Sequence, residues 1–116
     1  MRYMLLIYGD EAAAADITPE RWQEVIEAHT AWGNEARERG IHGGGEALQP
    51  TSTATTLRMR GGQPVTTDGP FAETKEQLGG FYILDCENLD EAIEMAGKLP
   101  LDESDAVEIR PIMEFD

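Results

Sequence analysis

Residues 2–8 read Arg-Tyr-Met-Leu-Leu-Ile-Tyr and are followed by Gly9 and Asp10. The run is apolar without a polar alternation, which is typical of a strand covered on both faces rather than one with a wet side. Glycine and aspartate are turn residues, so the run is bounded directly after residue 8. We therefore interpret this segment as the first and central strand of a sheet.

A long helix is predicted after this strand, from Pro19 to about Arg39. Thr18 is a favourable N-cap, and proline is tolerated at the first helical position because an amide hydrogen would have no partner there. Gly40 provides the left-handed stop. Acidic side chains lie opposite an apolar arc on the helical wheel, so one face of this helix is expected to pack on a sheet. The arc comprises Trp22, Val25, Ile26, His29, Gly33 and Ala36.

The rest of the chain predicts more strands and one shorter helix. Strand patterns occur at residues 46–49, 53–60, 64–67, 78–86 and 106–115. Gly61 and Gly62 predict a hairpin turn, and Pro64 predicts an edge position for the strand that follows. Asn88 predicts the N-cap of the second helix, which stops before Pro100.

The order of elements is strand, long helix, strands, shorter helix, strand. It predicts an α+β fold of the ferredoxin-like split βαβ type, an antiparallel sheet with two helices on one face. The other sheet face would keep apolar side chains with no helix to cover them, so we expect a homodimer with facing sheets. No repeat, linker or low-complexity segment divides the chain, and residues 1–116 are expected to form a single domain.

The composition excludes several classes of partner. With 9 Lys and Arg against 23 Asp and Glu, the net charge is -14, and the scattered cations form no basic stripe. Nucleic acid and anionic membranes would be repelled. No apolar stretch approaches the ~20 residues that cross a bilayer, and the lone Cys86 fits a reducing compartment, so a cytoplasmic location is expected. Phosphate-binding, zinc and serine-hydrolase motifs are missing, so no cofactor and no metal are expected.

His29 is the first candidate for chemistry. It lies at the centre of the apolar arc of the long helix and is expected to face the sheet. A neutral imidazole in that place can serve as a general acid or base. The alternative is a buried histidine that makes one hydrogen bond and orients the helix.

The second candidate is the segment 68–76, which places ionisable groups on a glycine-bent loop. Such loops present binding residues from a rigid scaffold. The alternative is a structural turn in which Asp68 caps backbone amides and Pro70 fixes the bend. Arg110 on the last strand either places charge in a cleft or forms a surface ion pair worth at most ~1 kcal/mol. His42, in a glycine-rich turn, is expected to be exposed.

The sequence Asp68-Gly-Pro-Phe-Ala-Glu-Thr-Lys-Glu76 resembles the YCII-related proteins, and within them the subgroup named after the Asp-Gly-Pro-Phe motif. The resemblance covers nearly the whole chain. It includes residues 4–8, 44–48, 79–82 and 108–111. It implies a ferredoxin-like fold that pairs into a dimeric α+β barrel. It also implies an active-site pair of histidine and aspartate, for which His29 and Asp68 are the matching residues, and in some relatives lyase-like activity on small organic molecules.

Two hypotheses for function follow. In the first, a small organic molecule binds between the long helix, the sheet and the Asp68 loop. Asp68 orients His29, His29 moves a proton, and the substrate is held by Glu73, Lys75 or Arg110.

The second hypothesis is a non-catalytic interaction or sensor module. The resemblance implies it, because the subgroup is similar to proteins encoded beside or fused to extracytoplasmic-function sigma factors. The chain shows no helix-turn-helix and no basic face, so such a role would act through a protein partner or a sensed ligand.

Overall fold

The computed structural model describes residues 1–115, which form six strands and three α-helices. The elements are β1 (Arg2–Gly9), α1 (Glu11–Ala14), α2 (Pro19–Glu38), β2 (His42–Ala47), β3 (Thr55–Arg60), β4 (Gln63–Asp68), β5 (Gln77–Asp85), α3 (Leu89–Ala96) and β6 (Ala106–Pro111). A single 3₁₀ turn, Thr51–Thr53, precedes β3.

Four strands form one sheet in the order β2-β5-β1-β6, and every neighbouring pair is antiparallel. The predicted central strand is thus confirmed, since β1 pairs on both sides. With α2 after β1 and α3 after β5, the connections are those of a ferredoxin-like α+β fold. Strands β3 and β4 form a separate two-stranded hairpin inserted between β2 and β5.

The core lies between one face of this sheet and helices α2 and α3. Tyr3 and Leu5 on β1 and Leu84 on β5 are buried against Trp32 from α2 and Met95 from α3. The indole Nε1 of Trp32 donates to the carbonyl oxygen of Met95 at 2.8 Å, which joins the two helices directly. Full burial of a large apolar side chain contributes about 1.5–3 kcal/mol, so these contacts fix where α2 lies.

The predicted helix ends are confirmed by their caps. The Thr18 hydroxyl accepts from the backbone N–H of Arg21 at 3.1 Å, and the Asn88 side chain accepts from that of Glu91 at 3.0 Å. Gly40 follows α2 with φ +74°, a conformation that side-chain-bearing residues rarely adopt.

Three features differ from the sequence prediction. Residues 11–14, for which no helix is predicted, form the short helix α1, whose N-cap is Asp10. Strand β2 spans His42–Ala47 rather than 46–49, because a Cβ at Gly45 would lie 2.5 Å from the Phe81 carbonyl oxygen and only glycine permits this close pairing. Strand β6 ends at Pro111 and not near Phe115, since Pro111 already pairs with Tyr3 close to the start of β1.

The second face of the four-stranded sheet is covered by neither α2 nor α3. Its apolar side chains alternate along the strands with the buried ones and are partly exposed. We call this surface the open face; it comprises Met4, Leu6, Tyr8, Phe81 and Ile83. Within residues 1–115, none of the helices has the length and apolar character that crossing a bilayer requires.

Candidate functional site

A cavity of about 530 Å³ lies between α2 and the β2 side of the sheet. This volume falls in the range of about 300–1,000 Å³ that small-molecule sites occupy. Much of the wall is apolar, with Ile7, Trp22, Val25 and Ile26 among the lining residues. Residues with polar side chains that line it include His29, Thr30, Arg37, His42 and Tyr82.

Glycines leave the space for this cavity. Gly33 lies in the middle of α2 and lines the cavity, and an added Cβ there would come within 3.3 Å of a guanidinium nitrogen of Arg37. Gly45 and Gly80 let β2 and β5 approach closely, so the floor of the cavity is backbone rather than side chain. The helix and the sheet edge therefore remain separated where larger residues would fill the gap.

His29 and Tyr82 form the central polar contact of the site. Nδ1 of His29 lies 2.8 Å from the Tyr82 hydroxyl oxygen, and the two rings are stacked with centroids 5.9 Å apart. Trp32 also packs against Tyr82, with their ring centroids 4.4 Å apart. When the imidazole proton is on Nε2, the hydroxyl donates to Nδ1; when it is on Nδ1, the imidazole donates to the hydroxyl oxygen. Tyr82 therefore holds the ring through one nitrogen only.

Burial sets the protonation of this pair. It lowers the pKa of His29 below its usual 6.5, and the negative charge of Asp105 acts in the opposite direction. Burial also raises the pKa of Tyr82 above 10.0, opposed by the positive charge of Arg37. At neutral pH the imidazole is thus uncharged and the phenol protonated, the state in which a histidine can accept a proton.

The structure brings only one of the predicted site residues into the cavity. His29 lines it, and its hydrogen bond goes to Tyr82. Asp68 is the exposed last residue of β4 and does not line the cavity, so the pairing of His29 with Asp68 stays a prediction. Glu73 and Lys75 lie in the exposed loop between β4 and β5. Arg110 pairs with Glu108 at 2.8 Å and shares a sheet face with Met4, the face away from His29.

Three polar residues of the cavity were missed by the sequence analysis. Tyr82 stands among apolar residues of a predicted strand, and nothing in that pattern marks it as a site residue. Arg37 follows His29 and Gly33 at steps of four, a spacing that places all three on one helix face and gives a usable signal. His42 was predicted to be exposed, which is wrong: it begins β2, is partly buried and lines the cavity.

The chain is thus a small ferredoxin-like α+β domain with a cavity between a helix and the sheet. The chain matches the YCII-related domain over residues 1–116 and belongs to that family. It is also similar to an uncharacterised protein of Rhizobium meliloti (strain 1021), with 42% identity over 99 residues, which cover 85% of this chain and 80% of the relative. The similarity to this relative supports the domain and carries no activity with it.

Proposed function

We propose that the protein binds a small organic molecule in the cavity between α2 and the sheet, and that His29 takes a proton from it. The observation that carries the proposal is the 2.8 Å contact between His29 Nδ1 and the Tyr82 hydroxyl at the wall of a cavity of about 530 Å³. Tyr82 occupies one ring nitrogen, so the other is the one available for proton transfer.

The walls of the cavity suit a ligand with an apolar body and a few polar groups. Trp22, Val25 and Ile26 would pack against that body. Arg37, which lines the same cavity, would compensate negative charge on the ligand after it loses a proton, and the imidazole of His42 would offer it a hydrogen bond. Arg110 faces the other side of the sheet, so Arg37 and His42 would bind the substrate in its place.

A lyase-like step needs no further reagent. His29 takes a proton from one carbon, the electrons of that C–H bond form a double bond, and the leaving group departs from the neighbouring carbon with its own electron pair. The protonated imidazole then returns the proton to the leaving group or to water. Asp68 enters as the partner that the family resemblance implies for His29, and Glu73 and Lys75 enter as groups that hold the substrate.

The binding part is tested with 8-anilinonaphthalene-1-sulfonate as a fluorescent probe, displaced by a panel of small organic acids and phenols. Thr30→Trp fills the cavity from an exposed helix position, and Ala31→Trp adds the same bulk at a neighbouring exposed position that does not line it. We expect Thr30→Trp to weaken probe binding about tenfold or more and Ala31→Trp to leave it within about twofold. Equal affinity in the two variants would contradict the cavity as the binding site.

Proton transfer is tested separately, by following deuterium incorporation into bound panel compounds in D₂O by NMR. We expect exchange at an acidic C–H position in the wild type and its loss in His29→Gln with binding retained. Tyr82→Phe is expected to slow exchange without abolishing it, because it removes only the group that orients the imidazole. Undiminished exchange in His29→Gln would remove His29 from the proposed chemistry.

A second candidate is the non-catalytic interaction or sensor module associated with an extracytoplasmic-function sigma factor. Phe71, which is 77% exposed in the loop after β4, would be the apolar contact for such a partner. Co-purification with a sigma factor that is lost in Phe71→Ser or Lys75→Ala, and kept in His29→Gln, would support this function over the first.

We also propose that the protein belongs to the subgroup named after the Asp-Gly-Pro-Phe motif and that it is cytoplasmic. The order of residues 68–71, Asp-Gly-Pro-Phe, supports membership of the subgroup named after that motif. Cys86, the single cysteine, is free and buried, which supports a reducing compartment such as the cytoplasm.

We also propose that the protein is a homodimer whose open faces cover each other. The support is an apolar centre formed by side chains such as Leu6 and Phe81, flanked on β6 by Glu108 and Arg110. An acid and a base two residues apart are self-complementary across a twofold axis, since each can meet its opposite in the second copy.

A further inference from the structure

We propose that the β3–β4 hairpin, residues 55–68, is a clasp that lies against the acidic body of a second copy of this chain. We call this hairpin the arm and the rest of the chain the body. The inference rests on the homodimer proposed above and adds to it a second contact, made by an element that lies outside the four-stranded sheet.

The arm has no core of its own. None of its residues is buried, and Leu57 and Met59 are 59% and 64% exposed. A lone two-stranded hairpin is marginally stable in water, because it cannot bury a hydrophobic face. The radius of gyration is 16.2 Å, against about 13 Å for a compact chain of this length. The arm thus projects from the body with its apolar side chains uncovered.

The base of the arm is well held although its tip is free. The backbone N–H and the hydroxyl of Thr51, just before the arm, donate to the two carboxylate oxygens of Glu11 in α1, each at 2.8 Å. The backbone N–H of Gly69 donates to the Ala54 carbonyl at 2.7 Å and closes the base of the hairpin. The direction of the arm is therefore set by the fold, which favours a partner that is already in position over one that orders a mobile loop.

The pairing register makes the arm two-sided. Leu57 faces Thr66 and Met59 faces Pro64, and these pairs lie on one side. Arg58 pairs with Val65 on the opposite side, together with Arg60 and Gln63. Leu57, Met59 and Pro64 thus share one side and both cations lie on the other, so the arm can bury apolar surface while its arginines reach neighbouring carboxylates.

Charge identifies the second copy as the occupant. The arm contains Arg58, Arg60 and one acid, Asp68, for a net charge of +1, so the body carries -15 of the total of -14. The bodies of two copies repel each other, and so do their arms, whereas the arm of one copy attracts the body of the other. Within residues 1–115, neither arginine of the arm forms an ion pair. Two arginines are too few for nucleic acid against the charge of the body.

The arm is also continuous with the proposed dimer interface. It leaves the sheet after β2 and returns to it at β5, the two strands that lie side by side at one edge. The base of the arm therefore lies at one edge of the sheet whose open face the second copy would cover. A twofold axis then gives two equal clasps, one from each chain.

The test compares dimer dissociation constants by analytical ultracentrifugation of the full chain. Arg60→Glu reverses a charge on the arm, and Arg21→Glu makes the same change at an exposed position on α2, where Arg21 pairs only with Glu24. We expect Arg60→Glu to weaken the dimer about tenfold and Arg21→Glu by less than about threefold. Met59→Ser, which removes exposed apolar surface without a charge change, is expected to weaken it as well.

A photo-crosslink identifies what the arm touches. Met59→Cys, labelled with benzophenone-maleimide, is mixed with isotopically labelled wild-type chain, and crosslinks are mapped by mass spectrometry; the native Cys86 is buried. Crosslinks from the arm of one copy to the body of the other support the clasp. A dimer that is unaffected by Arg60→Glu and Met59→Ser overturns the clasp alone. A monomer at all concentrations overturns both the clasp and the homodimer, and leaves the cavity experiments untouched.

Discussion

His29 sits half-buried against Tyr82, and burial of this kind disfavours the imidazolium form. We expect the pKa of His29 to lie below 6.5 in the folded protein and to return to its ordinary value in urea. NMR titration of the imidazole nitrogens measures this directly. In Tyr82→Phe, where Nδ1 loses its partner, we expect the nitrogen shifts of the neutral ring to move toward a mixture of tautomers.

Two carboxylates serve as controls for that titration. The negative charge of Asp105 raises the pKa of His29, so Asp105→Asn should lower it further. Asp68→Asn tests the pair that the family resemblance implies: a change of about one unit would couple Asp68 to His29. If the pKa of His29 changes in Asp105→Asn but not in Asp68→Asn, Asp68 does not belong to the site.

Stability should depend on pH through the same histidine. Because burial lowers the pKa in the folded state below the unfolded value of 6.5, the unfolded chain binds more protons between those two values. The contribution of His29 is therefore fully present above pH 6.5 and is lost as the pH falls through the folded pKa. Urea denaturation at pH 5 and pH 7.5 should show a smaller loss on acidification in His29→Gln than in wild type. An equal loss in both proteins would contradict the lowered pKa.

Gly33 separates cavity shape from helix stability. Glycine in a helix interior costs about 1 kcal/mol relative to alanine, so Gly33→Ala should raise the free energy of unfolding by up to that amount. The atom nearest to the new methyl group, at 3.3 Å, is the end of the Arg37 side chain, which is exposed and can move. The same methyl narrows the cavity, so binding of 8-anilinonaphthalene-1-sulfonate should weaken. A lower free energy of unfolding for Gly33→Ala than for wild type, measured by denaturant unfolding, would show that the Arg37 side chain does not move aside.

At the scale of elements, the contact between α2 and α3 depends on Trp32. Its side chain is 4% exposed and donates to the Met95 carbonyl, whereas Trp22 on the same helix is 54% exposed. We expect Trp32→Phe to lower the free energy of unfolding by about 1–3 kcal/mol, from the lost hydrogen bond and the incomplete filling. Trp22→Phe, the matched control, should change it by less than about 0.5 kcal/mol. Similar losses in the two variants would contradict this account of the core.

Local signals predicted the two longer helices and the central strand, while contacts between elements decided the rest. Thr18 and Asn88 determine the helix starts through bonds within one turn, so sequence alone was sufficient. The glycines of β2 look like a loop by propensity, and they form a strand only because β5 lies close enough to require them. The contact between His29 and Tyr82 could not be predicted for the same reason. It joins residues 53 positions apart and depends on how α2 lies on the sheet.

At the scale of the whole molecule, the open face is where the homodimer can be tested without disturbing the cavity. Leu6 lies in the middle of β1, opposite Phe81 on one side and Glu108 on the other, and its side chain points away from the core. Leu6→Glu would place a carboxylate at the centre of the proposed interface, beside an acid that is already there. Two such charges facing across a twofold axis cost far more than the loss of one apolar contact.

We therefore expect Leu6→Glu to weaken the dimer at least about a hundredfold while the helical circular dichroism and the His29 titration stay as in wild type. Ile17→Glu makes the same change at an exposed position before α2 and should leave the dimer intact. Light scattering coupled to gel filtration, over a range of concentrations, separates the two. A Leu6→Glu protein that folds and still dimerises like the wild type would place the interface elsewhere. The arm would then have to hold the two copies without the sheet, and the crosslinks from Met59→Cys would show whether it does.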